Sequence, residues 1–138
     1  MDLKGDNFVL TEEFCLSLID FGMTERLDKV LNDRRKMTRM YRAPEIERDL
    51  EYLGGPADIF GIGVCLFMIL FQAAPFQGKF CLEDGNYKKH FLEQERPDLS
   101  FFNGLGLDLG SVPSHEPFEA ILRCFNPNPA LRPTLEQL

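Results

Sequence analysis

"DLKGDNFVLTEEFCLSLIDFG", residues 2–22, holds two short apolar runs between ends that carry charges and an amide. The runs, "NFVL" (7–10) and "CLSLI" (15–19), are separated by Thr11-Glu12-Glu13. β-Branched, aromatic and aliphatic residues bounded by polar ones predict a small antiparallel β pair. The residues with chemistry stand outside it. Asp2, Lys4 and Asn7 lead into the first run, and Asp20, Phe21 and Gly22 follow the second. In isolation "DLKGDN" reads as a surface turn.

Outward from this stretch the pattern becomes helical. Between Asp20 and Tyr41 no period holds, which predicts a loop. Gly54-Gly55-Pro56 breaks the chain before "IFGIGVCLFMILF" (59–71), and the first turn of that helix would hold Asp58, a favourable place for a carboxylate. The apolar run is 13 residues, too short to cross a bilayer, so a fully buried core helix is expected, ended by "AAPF". "NYKKHFLEQ" predicts a short helix and "SFFNGLGLDLGSVPSH" a long Gly/Pro-punctuated connection. "EPFEAILRCF" has an amphipathic period, "NPNPALRP" is a turn, and Thr134 to Gln137 has the form of a capping box. The fold class is mainly α, a helical body with one small antiparallel β pair carrying the functional loops.

Composition narrows the function. The chain has 138 residues, 44% of them hydrophobic with 13 Phe, enough for one domain with a packed core. A net charge of −7 and a pI near 4.8 argue against a nucleic-acid surface. From Asp20 to Glu45, however, seven basic residues face five acidic ones. That stretch is either a solvated loop or a segment that meets phosphates or acidic groups. Cys15, Cys65, Cys81 and Cys124 are scattered, with no CxxC and two His in all, so zinc spacing is absent and reduced, packed thiols are expected. No signal peptide is evident, which predicts the cytoplasm or nucleus and no membrane.

Thirteen residues after Asn7 stands Asp20-Phe21-Gly22, and 25 after Asp20 stands Ala43-Pro44-Glu45. This set resembles the protein kinase family, with D-x-K-x-x-N, D-F-G and A-P-E in order. Thr38 with "YRAPE", "DIFGIG", "APF" and "NPNPALRPT" extend the likeness across essentially the whole chain. Lys4 two places after Asp2, with Thr38 seven before Glu45, looks like the serine/threonine branch, and "ADIFGIGVCLFMIL" looks most like its calcium/calmodulin-type group. "GLGLDLG" (104–110) is no phosphate loop, because Leu109 stands where G-x-G-x-x-G needs its third glycine.

The resemblance implies roles residue by residue. Asp2 would orient the acceptor hydroxyl and take its proton, while Lys4 would sit beside the transferring phosphate of ATP. Asn7 and Asp20 would be oxygen ligands for Mg²⁺, which favours hard oxygen donors shared with nucleotide phosphates. Gly22 permits a sharp turn after the metal-binding carboxylate. Thr38 would hydrogen-bond Asp2 and Lys4 and shape the site for the residue after the acceptor. Glu45 and Arg132 would form an ion pair tying the activation segment to the helical body. Asp58 would accept backbone hydrogen bonds from the catalytic loop. Thr24 is the better candidate for regulatory phosphorylation, with Arg34, Arg35 and Lys36 to receive the phosphate.

Departures from the family pattern bear on activity. Met1 stands where the family has His-Arg, Met37 replaces a Gly before Thr38, Phe60 replaces a Trp, and Arg34 stands where many relatives carry a phosphorylatable Thr. The family's small lobe, with its Gly-rich loop, strand Lys and paired Glu, has no counterpart. The expectation is therefore a partial kinase domain over residues 1–138, the large lobe alone. It would act within a longer ATP- and Mg²⁺-dependent kinase on protein Ser/Thr hydroxyls, and be inactive by itself. Upstream coding sequence is expected to supply His-Arg and the small lobe. The alternative is a truncated, non-catalytic binding module or competitor for kinase substrates.

Overall fold

The computed structural model describes residues 2–33, 37–77, 80–94, 97–106, 109 and 114–138. The opening β pair forms: β1 (Phe8–Leu10) runs antiparallel to β2 (Leu16–Leu18), in a register that sets Phe8 opposite Leu18. A 3-10 turn, Gly5–Asn7, leads into β1, and Phe14 closes the hairpin bend in the left-handed region at φ 60°.

The stretch after Asp20 is not wholly loop. Val30–Leu31 (β3) pairs antiparallel with Tyr52–Leu53 (β4), and Arg39–Tyr41 makes a 3-10 turn. The reason is burial. Leu31 and Tyr52 are 4% and 5% exposed, and two residues of strand suffice to seat them. Between these strands lies α1 (Pro44–Glu47), which starts on a proline whose missing N–H is not needed there.

The central helix α2 (Gly54–Phe71) begins earlier than its glycines and proline suggest. Pro56 is its third residue, where the backbone N–H has no intrahelical partner anyway. Asp58 consequently lies in the second turn, buried, and not in the first. The helix stops at Phe71, with Gln72 in the left-handed conformation at φ 52°. At 18 residues α2 is long and apolar enough to cross a membrane by length and composition, yet over half of it is covered by the rest of the chain. Its place is the core.

Around α2 the aromatic residues close the body. Asp84 caps α3 (Gly85–Tyr87) by accepting the Tyr87 N–H, and the helix widens into a π turn over Lys88–Leu92. The predicted connection after it contains a one-turn helix, α4 (Ser100–Asn103), because Phe101 and Phe102 are fully buried and Asp98 receives the Ser100 N–H. Then α5 (Glu116–Cys124) packs on α2 at Gly63. Phe60 sits among Phe76, Tyr87 and Phe125 with ring centroids 5.3–6.3 Å from its own, so it is held in an aromatic cluster. The Tyr87 hydroxyl donates to the Phe125 carbonyl at 2.8 Å. Thr134 opens a 3-10 turn, Leu135–Gln137, with both arms of the capping box made.

Candidate active site

The catalytic-loop candidates meet beside α2. A Cβ built on Gly61 of that helix lies 3.4 Å from the Leu3 carbonyl, so the loop rests in van der Waals contact with the helix. Asp2 then faces two partners. Lys4 Nζ approaches one carboxylate oxygen at 2.9 Å, and the Thr38 backbone N–H donates to the other at 2.7 Å. Burial pushes the Asp2 carboxyl up, but the bonds from Lys4 and from the Thr38 backbone and hydroxyl outweigh it. The group is held below its ordinary value and stays a carboxylate. In return, the bond to Asp2 holds the Lys4 ammonium above its usual range, with Asp6 and Asp20 adding smaller contributions. Thr38 reaches Lys4 through Asp2; among the described residues the two share no direct bond.

Asn7 and Asp20 come together through the β pair. The Asn7 side-chain N–H donates to the Asp2 carbonyl at 2.8 Å, and its own carbonyl accepts the Ile19 N–H at 2.8 Å. Asp20 therefore follows directly on the residue bonded to Asn7. It is itself in the left-handed region, φ 65°, and one of its carboxylate oxygens accepts the Gly22 N–H at 3.0 Å. A Cβ at Gly22 would come within 3.1 Å of that oxygen, so a side chain there would press on the Asp20 carboxylate. Among the described residues no three His, Cys, Asp or Glu side chains gather as a metal cluster. The Asn7 amide oxygen and the Asp20 carboxylate are hard oxygen donors, the type that Mg²⁺ favours.

Asp2, Asp20 and Asp58 border one cavity of about 750 Å³ walled mainly by apolar side chains, among them Leu3, Leu18, Ile59 and Ile62. Burial in this wall raises the Asp58 carboxyl to about 6. Thr24 also borders the cavity and is exposed, whereas Arg34 to Lys36, the residues expected to serve it, lie outside the described ones. Leu109 packs against the core, and residues 107, 108 and 110 of "GLGLDLG" likewise lie outside the described residues.

Glu45 and Arg132 meet in a bidentate pair, Nη1 to Oε1 at 2.7 Å and Nη2 to Oε2 at 2.6 Å. Arg132 is held further by the Asn126 and Pro56 carbonyls at 2.8 and 2.9 Å, and its guanidinium lies 5.3 Å from the Phe60 ring centre.

Sequence reasoning missed three supporting residues. Tyr41, buried, accepts the Gly5 N–H through its hydroxyl at 3.5 Å and donates to Met68 Sδ at 3.6 Å, bracing the loop that carries Lys4. Glu47 accepts the N–H groups of Cys81 and Leu82, each at 3.0 Å, which ties α1 to the Cys81–Glu83 turn. Arg39 stacks on Phe80, the residue before that turn, at 5.6 Å from the ring centre. Only Tyr41, inside "YRAPE", lay in a motif.

The family profile for the protein kinase domain matches residues 1–138. The chain belongs to the protein kinase family. Its similar proteins are kinases by name, several of them serine/threonine kinases. The serine/threonine-protein kinase ppk34 of Schizosaccharomyces pombe is 31% identical over 99% of this chain. CBL-interacting protein kinase 5 of Oryza sativa subsp. japonica is 30% identical over 99%, and CBL-interacting serine/threonine-protein kinase 5 of Arabidopsis thaliana 34% over 72%. This kinase-family chain spans 36%, 28% and 22% of the lengths of those three relatives, in that order.

Proposed function

We propose that the chain carries the phosphotransfer residues of a longer protein serine/threonine kinase, which moves the γ-phosphoryl group of ATP to Ser or Thr hydroxyls of proteins. The observation that carries this reading is the Asp2 carboxylate, kept ionised and fixed from both sides by Lys4 and the Thr38 N–H. In phosphoryl transfer the protein contributes positioning and charge neutralisation more than covalent chemistry.

Asp2 orients the acceptor hydroxyl and receives its proton as the new oxygen–phosphorus bond forms and the bond to the departing ADP oxygen breaks. Lys4, 2.9 Å from Asp2, places its ammonium beside the group in transit. Asn7 and Asp20 would hold Mg²⁺, which would neutralise charge on the nucleotide phosphates. Taken alone, residues 1–138 are expected to transfer no phosphate, because positioning makes up most of this catalysis. The branch reading rests on Lys4 and Thr38 and on the names of two of these relatives.

Transfer of radiolabelled phosphate from ATP to a generic basic protein by the full-length protein tests the proposal. Asp2→Asn is expected to lower turnover by about 10²–10⁴-fold, the usual worth of a positioned acid–base group. Wild-type turnover in that variant overturns the assignment, and transfer by residues 1–138 alone overturns only their expected inactivity. No transfer by the full-length protein favours a non-catalytic binding module.

A further inference from the structure

Next to Thr38 stands a cation that none of the roles above uses, Arg39. Arg39 follows Thr38, whose N–H is bonded to Asp2. Consecutive Cα atoms are about 3.8 Å apart, so a hydroxyl delivered to Asp2 brings its neighbouring residues within reach of an arginine side chain at position 39. Arg39 is exposed, and among the described residues it forms no ion pair.

Its guanidinium is nevertheless placed. It lies over the Phe80 ring, and Phe80 is fixed by the next two residues, whose N–H groups both end on Glu47. An arginine stacked on an aromatic face loses little rotamer freedom and keeps its N–H edge open to a planar carboxylate or a phosphate. The surrounding stretch from Asp20 to Glu45 is net basic in an acidic chain, which favours an acidic visitor.

We propose that Arg39 is a specificity-determining residue that selects an acidic side chain, Asp, Glu or a phosphorylated residue, within two positions of the acceptor hydroxyl. This rests on the phosphotransfer reading above. Phe80 is the platform and Glu47 the clamp beneath it, so the three residues act as one recognition element.

The test uses the full-length protein and paired peptides that differ only by Glu or Gln at each position within two of the acceptor. The ratio of kcat/KM for the two peptides is read within each variant, so a general loss of folding or turnover cancels. Wild type is expected to favour Glu by about threefold to fivefold at one of these positions, the scale of a partly exposed ion pair. Arg39→Glu should turn the preference against Glu, and Arg39→Lys should retain part of it. Phe80→Leu should weaken it without changing its sign. A wild-type ratio near one, or the wild-type ratio persisting in Arg39→Glu, overturns the assignment while leaving phosphotransfer standing. If no peptide is phosphorylated at all, the phosphotransfer reading falls and the selectivity proposal with it.

Discussion

Glu45→Ala removes one partner from a pair buried on both sides, with side chains 7% and 0% exposed. What remains is a guanidinium with no counter-charge. Breaking a buried pair this way costs about 3–5 kcal/mol. Arg132 keeps its bonds to the Asn126 and Pro56 carbonyls, so the lower end, about 3 kcal/mol, is expected for Glu45→Ala. Arg132→Ala loses those bonds and the contact with Phe60 as well, and strands the Glu45 carboxylate; about 4 kcal/mol is expected. The double variant Glu45→Ala/Arg132→Ala should cost less than the sum, because the second change removes the stranded charge left by the first. Against the 5–15 kcal/mol typical of a domain, either single change takes a large share. Urea unfolding monitored by circular dichroism reads the shifts in midpoint, provided the slope is unchanged. Additive shifts would refute the reasoning, since they would mean the two side chains do not share one interaction energy.

Gly63→Ala should destabilise by about 2 kcal/mol despite the better helix propensity of alanine. Its Cβ would stand 2.6 Å from that of Cys124 and 3.0 Å from the Phe125 ring, whereas Gly85→Ala meets nothing within 4 Å and should be neutral or slightly stabilising; thermal midpoints compare the two. Asp58, raised in the fold from 3.8 to about 6, contributes stability that is full below about pH 4 and is lost as pH rises through about 6. Wild type should therefore lose about 2 kcal/mol relative to Asp58→Asn between pH 4 and pH 7.5, and parallel stability profiles for the two proteins would contradict this.

The sequence displayed whatever was locally encoded. Alternating apolar residues around Thr11 announced the hairpin, the apolar run from Ile59 announced the buried helix, and the 3.6 period of "EPFEAILRCF" announced α5. What it hid depended on partners far along the chain. Val30–Leu31 and Tyr52–Leu53 are two residues each, too short for any period, and exist because Leu31 and Tyr52 needed cover. Ser100–Asn103 looked like connection because its two aromatic residues are drawn in by rings from other elements. The start of α2 was misplaced because Gly and Pro break helix interiors but are harmless in the first turn. In the site, Asp2, Lys4, Asn7 and Asp20 could be named because a spacing pattern carries them. Glu47 and Arg39 could not, since their partners, Cys81 and Phe80, lie more than 30 residues away and outside any motif.

The register of the hairpin sets the distance between the two candidate oxygen ligands. Phe8 lies opposite Leu18 and the Ile19 N–H meets the Asn7 carbonyl, so Asn7 and Asp20 sit at the open end of the pair, away from the bend. The bend at residues 11–15 is thus a free variable: lengthening it adds only slowly growing closure entropy and leaves those oxygens where they are. Losing a single residue within Leu16–Leu18 is a different event. Side chains alternate across a strand, so every later residue would change sides and Asp20 would turn away from Asn7. Length is tolerated on one side of β2 and parity is enforced on the other.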